Sequence, residues 1–305
     1  MLNRRDDSVR LTLIALTSRG RAERRVLNRI MGIIKPEDYL EPRCPLDCSP
    51  ASAAHVQSIP QRRVLDKLDE YLAKRDYAGA ERHLLYWQEE ARQGNDLQGQ
   101  LLICNELIGH YRKNGQKEQS YRACTEAVRL MEALGFSNQV SGGTTFVNMA
   151  TAYSAFGDDE EALRLFSRAR EIYESYPKIS PELLGGLYNN MGLCCAALGK
   201  YSMAKELFFH ALELSGTIPG GELEQAITRL NLADCLVAEQ GISTCEAQIR
   251  TLLDQAKHDL LETNAKKDGY YAFVCEKCAA GFQDYGYPDT AEKLRELAEQ
   301  IYEGA

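Results

Sequence analysis

One spacing governs this sequence. Turn candidates stand at Arg75, Gly115, Gly157, Gly199, Gln240-Gly241 and Gly286, about 42 residues apart. Five residues beyond each turn, counting the fifth from Gln240, comes a small side chain: Ala80, Ser120, Ala162, Ala204, Cys245 and Ala291. Four residues before it comes a large or apolar one: Tyr71, Tyr111, Tyr153, Cys195, Leu236 and Phe282. Small side chains let one helix approach another, bulky ones fill the space between units, and glycine accepts the positive φ of a tight turn. A unit of this size cannot bury its apolar face alone, so the pattern has to recur and stack.

The clearest copy reads Tyr188-Asn189-Asn190-Met191-Gly192, then Leu198-Gly199-Lys200-Tyr201, then Ala204, Phe208 and Ala211. It resembles the tetratricopeptide repeat, in which an aromatic, a Leu-like and a small residue on a first helix precede Ala, Phe and Ala on a second. The common repeat of that family has about 34 residues. The longer period here resembles the kinesin-light-chain-like branch, over about residues 61–305 and most strongly over 144–215. The resemblance implies an all-α, right-handed superhelical solenoid of about six helix-turn-helix repeats, near 61–95, 97–137, 141–177, 181–217, 221–263 and 268–304. Gly241-Ile242-Ser243-Thr244 predicts an irregular fifth turn.

Breakers support the division: Ser141-Gly142-Gly143, Pro177 to Pro181 and Pro219-Gly220-Gly221 are expected between helix pairs, and Ser180-Pro181 reads as a helix start. Leu294, Leu297 and Ile301 on one face of the last helix, with Glu292, Arg295 and Glu299 on others, suit a polar-backed cap. Residues 1–60 do not fit the repeat. They form a basic, proline-containing segment expected to be partly disordered, with helical character over 8–31, and Met31 offers an alternative start.

Charge separates the same two regions. Residues 1–60 carry 10 Lys+Arg against 7 Asp+Glu, and the remaining 26 against 37 leave the body at −11 within a net charge of −8. An acidic body repels phosphate backbones, so nucleic-acid binding is not expected of it. Leu11 to Leu16 is far shorter than the ~20 residues that span a bilayer, and its charged flanks make a poor secretory signal. A cytoplasmic location is expected, without membrane insertion.

No phosphate-binding, dinucleotide-binding or HExxH motif occurs, and the histidines at 55, 83, 110, 210 and 258 are scattered. The chain therefore reads as no enzyme, with no catalytic residue and no cofactor. Eight of its ten cysteines fall in helical segments, where buried reduced thiols fit better than disulfides. Cys44 and Cys48 with Cys275 and Cys278 have the spacing of a four-thiolate zinc site. Against that reading, Cys275 and Cys278 already occupy core columns. The 13 residues from Cys48 to Gln61, moreover, reach at most ~45 Å, barely the length of a six-layer stack. The aromatic group Tyr270, Tyr271, Phe273, Phe282, Tyr285 and Tyr287 reads as terminal core before it reads as a docking patch.

Function rests on a polar column. Asn148, Asn190 and Asn231 each stand nine residues before a turn. The resemblance places that column on the concave groove, where an amide offers a donor and an acceptor to any peptide backbone. Thr144, Thr151, Asn189, Leu193 and Asp234 surround it and leave room for an extended segment. The alternative is that the amides bond to neighbouring helices or to water. The Lys/Arg clamp that some family members close on a terminal carboxylate is not reproduced: Leu65, Asp66 and Asp69 occupy that face of the first repeat, and Arg112 and Lys113 bring basic charge only to the second. The first functional expectation is thus a scaffold binding an extended peptide or partner segment. The second is a peptide-sensing transcriptional regulator whose basic N-terminal segment contacts nucleic acid.

Overall fold

Each predicted turn separates two helices in the computed structural model, which describes residues 56–304. The pairs are α1 (Gln61–Ala73) with α2 (Tyr77–Gln93), α3 (Leu97–Lys113) with α4 (Lys117–Ala133), and α5 (Val140–Ala155) with α6 (Asp159–Glu174). They continue as α7 (Pro181–Ala197) with α8 (Tyr201–Ser215), α9 (Glu222–Gln240) with α10 (Ile242–Leu261), and α11 (Gly269–Asp284) with α12 (Pro288–Glu303). Helix packs on helix throughout, with no strand among the described residues. The basic segment over 8–31, Met31, Cys44 and Cys48 lie outside the described residues.

The two columns do the packing expected of them. Ala80, Ser120, Ala162, Ala204 and Ala291 are wholly inaccessible and Cys245 nearly so. Tyr111, Cys195, Leu236 and Phe282 are buried, while Tyr71 and Tyr153 are half-buried at the edges of the same layers. Gly115, Gly157, Gly199 and Gly286 have φ between 68° and 84°, as a turn in the left-handed region requires. The fifth turn is the irregular one. Gly241 has φ 76° and ψ 150°, and Cys245 leaves helical geometry at φ −112°, which kinks α10.

Caps fix the starts of several helices. Ser180 Oγ accepts from the Leu183 N–H at 3.3 Å with Pro181 in the first helical position, as its sequence predicts. Asp96 caps α3 by accepting from Gly99 N at 2.9 Å and also takes the Ile59 N–H at 3.0 Å, which pins the buried Ile59 against the first linker.

One expectation needs correction. Ser141-Gly142-Gly143 does not separate two helix pairs but forms the first turn of α5, buried among its neighbours. A β-carbon on Gly142 would collide with the Phe136 carbonyl oxygen, and one on Gly143 would stand only 2.5 Å from the Tyr173 ring. These glycines serve close approach rather than helix breaking.

The stack also meets itself. Arg75, in the first turn, places Nη2 3.0 Å from Glu276 Oε1 of α11 and 4.0 Å from Glu299 Oε2 of α12, with its guanidinium 4.1 Å from the centre of the Tyr302 ring. Lys113 Nζ lies 5.5 Å from the Phe273 ring centre, joining the second repeat to the sixth. The last helix therefore faces the first repeat as well as capping the sixth.

Candidate functional site

The first helices of the repeats are sheathed on most of their circumference. Of the α7 residues, for example, Leu183, Gly185 and the run Leu187–Gly192 are all buried. Small side chains bring these helices close enough for short amides to reach between layers. Asn148 Nδ2 on α5 donates to Asn105 Oδ1 on α3 at 3.0 Å, and Asn105 Nδ2 in turn donates to the Leu101 carbonyl at 3.1 Å and to Thr145 Oγ1 at 3.2 Å. One layer on, Asn190 Nδ2 of α7 reaches Thr151 Oγ1 of α5 at 3.4 Å, and Asn189 Nδ2 donates to Asn190 Oδ1 at 3.2 Å. Asn231 Nδ2 and Thr228 Oγ1 of α9 both donate to Asn189 Oδ1, at 2.9 and 3.1 Å. An amide spine thus runs through four successive first helices.

The spine has a buried side and an accessible side. Asn189 and Asn190 are wholly inaccessible, Thr151 and Asp234 are buried, and Asn148, Asn231 and Leu193 are half-buried. Asp234 Oδ1 accepts from the Tyr285 hydroxyl at 2.7 Å. Thr144 stands apart: it lies between α5 and α6, bonded to the Tyr173 hydroxyl at 2.8 Å. Asn148 and Asn231 each spend one N–H on the adjacent layer, and among the described residues their carbonyl oxygens take no donor.

Sequence reasoning misses three members of the spine: Asn105, Thr145 and Thr228. A signal for Asn105 exists. It stands ten residues before Gly115, as Asn189 stands before Gly199, so the asparagines fall in two adjacent registers where a single column was expected.

The rest of the chemistry is quiet. Cys104, Cys124, Cys194, Cys195, Cys235, Cys245, Cys275 and Cys278 are buried thiols outside any disulfide. Burial pushes Cys104, Cys124, Cys235 and Cys278 up to about 12, so these four thiols stay protonated at neutral pH. Among the described residues no cluster of three metal-ligating side chains forms. Tyr271 and Phe282 belong to the core, and Tyr270 and Tyr285 direct their hydroxyls to Glu224 and Asp234. Among the described residues, no helix is long and apolar enough to cross a membrane.

Comparison with known proteins gives this architecture a family. The family model described as "Tetratricopeptide repeat" matches residues 100–175, which hold α3 to α6 and bring in all but the start of the second repeat and the whole third. No curated protein matches the chain. Among solved structures, the nearly identical TPR-like repeats of a putative kinesin light chain from Podosopora anserina are similar at 19% identity, over 66% of this chain and 94% of that one, with a TM-score of 0.45. A single-substitution variant of those repeats matches at 19% identity, 66% and 93% coverage and TM-score 0.46. BtubC (BKLC) from P. vanneervenii matches at 15% identity, 81% and 92% coverage and TM-score 0.43. Tetratricopeptide repeats are in general non-enzymatic scaffolds for protein interaction. Over residues 100–175 the chain thus carries tetratricopeptide repeats, and the same kind of helix pair recurs on both sides of them.

Proposed function

We propose that this protein is a cytoplasmic scaffold that holds an extended segment of a partner protein along the amide spine, and that it works by binding rather than by catalysis. The observation that carries the reading is the pair of half-buried carbonyl oxygens on Asn148 and Asn231, oriented by a hydrogen bond through each side chain's own N–H and accepting nothing from the described residues. A water-accessible acceptor held in a fixed direction can exchange its water for a backbone N–H, whatever side chain follows. Asn148 and Asn231 sit in the third and fifth repeats, two layers apart, or ~18–20 Å at helix spacings of 9–10 Å. About six residues of extended chain at ~3.3 Å each cover that span. Asn105 holds the Asn148 amide and Asn189 the Asn231 amide, with Asn190 and Thr151 behind Asn189, while Leu193 and Asp234 offer an apolar and an acidic contact beside them. Thr144 ties α5 to α6 through the Tyr173 hydroxyl and stands outside the spine.

A displayed library of unstructured peptides, selected on the full chain, tests the reading. Asn148→Ala combined with Asn231→Ala should weaken selected peptides of unrelated sequence by similar factors, ~10- to 100-fold, since each lost bond is worth ~0.5–1.5 kcal/mol. Circular dichroism should be unchanged. Selected peptides that bind the double variant as tightly as the wild type would place their site elsewhere.

A further inference from the structure

We propose that the contact between the two ends of the stack is a latch, held by Arg75, whose release opens the concave face to a partner segment. Position 75 supplies the first observation. Five repeats place glycine at this turn, with φ from 68° to 84°, whereas the first places an arginine at φ 53°. A β-carbon is disfavoured there, so the turn's own geometry does not account for the arginine. That side chain lies between Glu276 and Glu299 and over the ring of Tyr302, all in the last repeat and about 200 residues away in sequence.

The second observation is what the seam lacks. The buried apolar side chains form two clusters: one runs from Ile59 through α4 to Met149 and Ala152, and the other from Val147 to Ala298. Val64, Leu68, Tyr71 and Leu72 of α1 belong to the first, and Cys275, Cys278, Phe273 and Tyr302 of the last repeat to the second. Among the described residues no apolar side chain is shared between them at the seam, so parting the ends divides no continuous core. Backbone approach there is slight: a β-carbon on Gly269 would touch Ala73 at an ordinary 3.6 Å. The seam is thus held mainly by half-exposed charge and ring contacts, which salt screens. The biological meaning of opening rests on the groove reading above; the opening itself does not.

Small-angle X-ray scattering of the full chain tests the latch at about 50 mM and 1 M salt, conditions between which screening changes strongly. Arg75→Gly, which fits the turn's φ, should shift the distance distribution to longer values at low salt with helix content unchanged. Wild type should move toward the same distribution at high salt. Glu276→Lys, on the opposite side of the seam, should reproduce the shift if the glycine variant perturbs the turn. Identical scattering of wild type and both variants at both salts would overturn the latch and leave the groove standing. Conversely, a clear opening combined with unaltered peptide binding by the Asn148/Asn231 double variant would remove the groove and keep the latch.

Discussion

Two glycines on one helix should respond to the same substitution with opposite signs. In a helix interior, Gly→Ala gains about 1 kcal/mol because the chain loses less backbone freedom on folding. At Gly186, half-exposed on α7, an added β-carbon meets nothing within 4 Å, so the gain should be realised in full. At Gly192, six residues later on α7, the β-carbon would stand 2.7, 2.9 and 3.1 Å from three carbons of the Phe208 ring. That ring is wholly buried in the same repeat. Overpacking of this kind costs ~1–3 kcal/mol, enough to cancel the helical gain and exceed it. For a domain of this size 1 kcal/mol moves the thermal midpoint by ~2–4 °C. Gly186→Ala should therefore raise the midpoint by about that amount and Gly192→Ala should lower it, with Phe208→Leu partly relieving the second variant. Melting curves followed by far-ultraviolet circular dichroism decide the matter. If Gly192→Ala stabilises as much as Gly186→Ala, the close approach of α7 to α8 is not what the glycine is for.

Acid should act on this protein partly against its usual direction. Burial raises the carboxyl of Asp159 above its ordinary value of 3.8, against the hydrogen bond from Ser154. The folded state thus holds this proton more tightly than the unfolded chain, so the group favours folding at low pH and loses that contribution as pH rises through its folded value. Asp159→Asn, which keeps an acceptor for Ser154, should raise the midpoint at pH 7 and flatten its dependence from about pH 4 upward; an unchanged pH profile would refute the assignment. The thiols give a second test: with Cys44 and Cys48 replaced by serine, the native protein should react negligibly with a disulfide reagent and expose all eight buried thiols only in denaturant.

The sequence discloses the periodic parts of this structure because physical constraint there is local. Ala162 and Ala204 have to be small, Gly157 and Gly199 have to turn, and each fact repeats every layer. Ser141-Gly142-Gly143 misleads because glycine carries two meanings, a break in the chain or room for a neighbour, and only Phe136 and Tyr173 show which applies. Asn148, Asn190 and Asn231 are legible as a column, but their bonding is not, since Asn105 and Thr228 enter from helices in a shifted register. The arginine that replaces glycine at position 75 is visible in the sequence, but its meeting with Glu276 is not: superhelical curvature sets it over 201 residues, beyond any repeat-length pattern.

The division of the apolar interior into two clusters bears on how the molecule comes apart. Val147 and Ala150 look toward the later repeats, and Met149 and Ala152 on the same helix toward the earlier ones, so α5 is the hinge between them. Solenoid stability is a sum of neighbour terms, and cooperativity breaks where those terms are weakest. The first two repeats thus form a smaller folding unit docked on a larger one of four. Amide protons in α1 to α4 should exchange through a partial opening that leaves the remaining layers intact, with the third repeat serving as the shared boundary of both units.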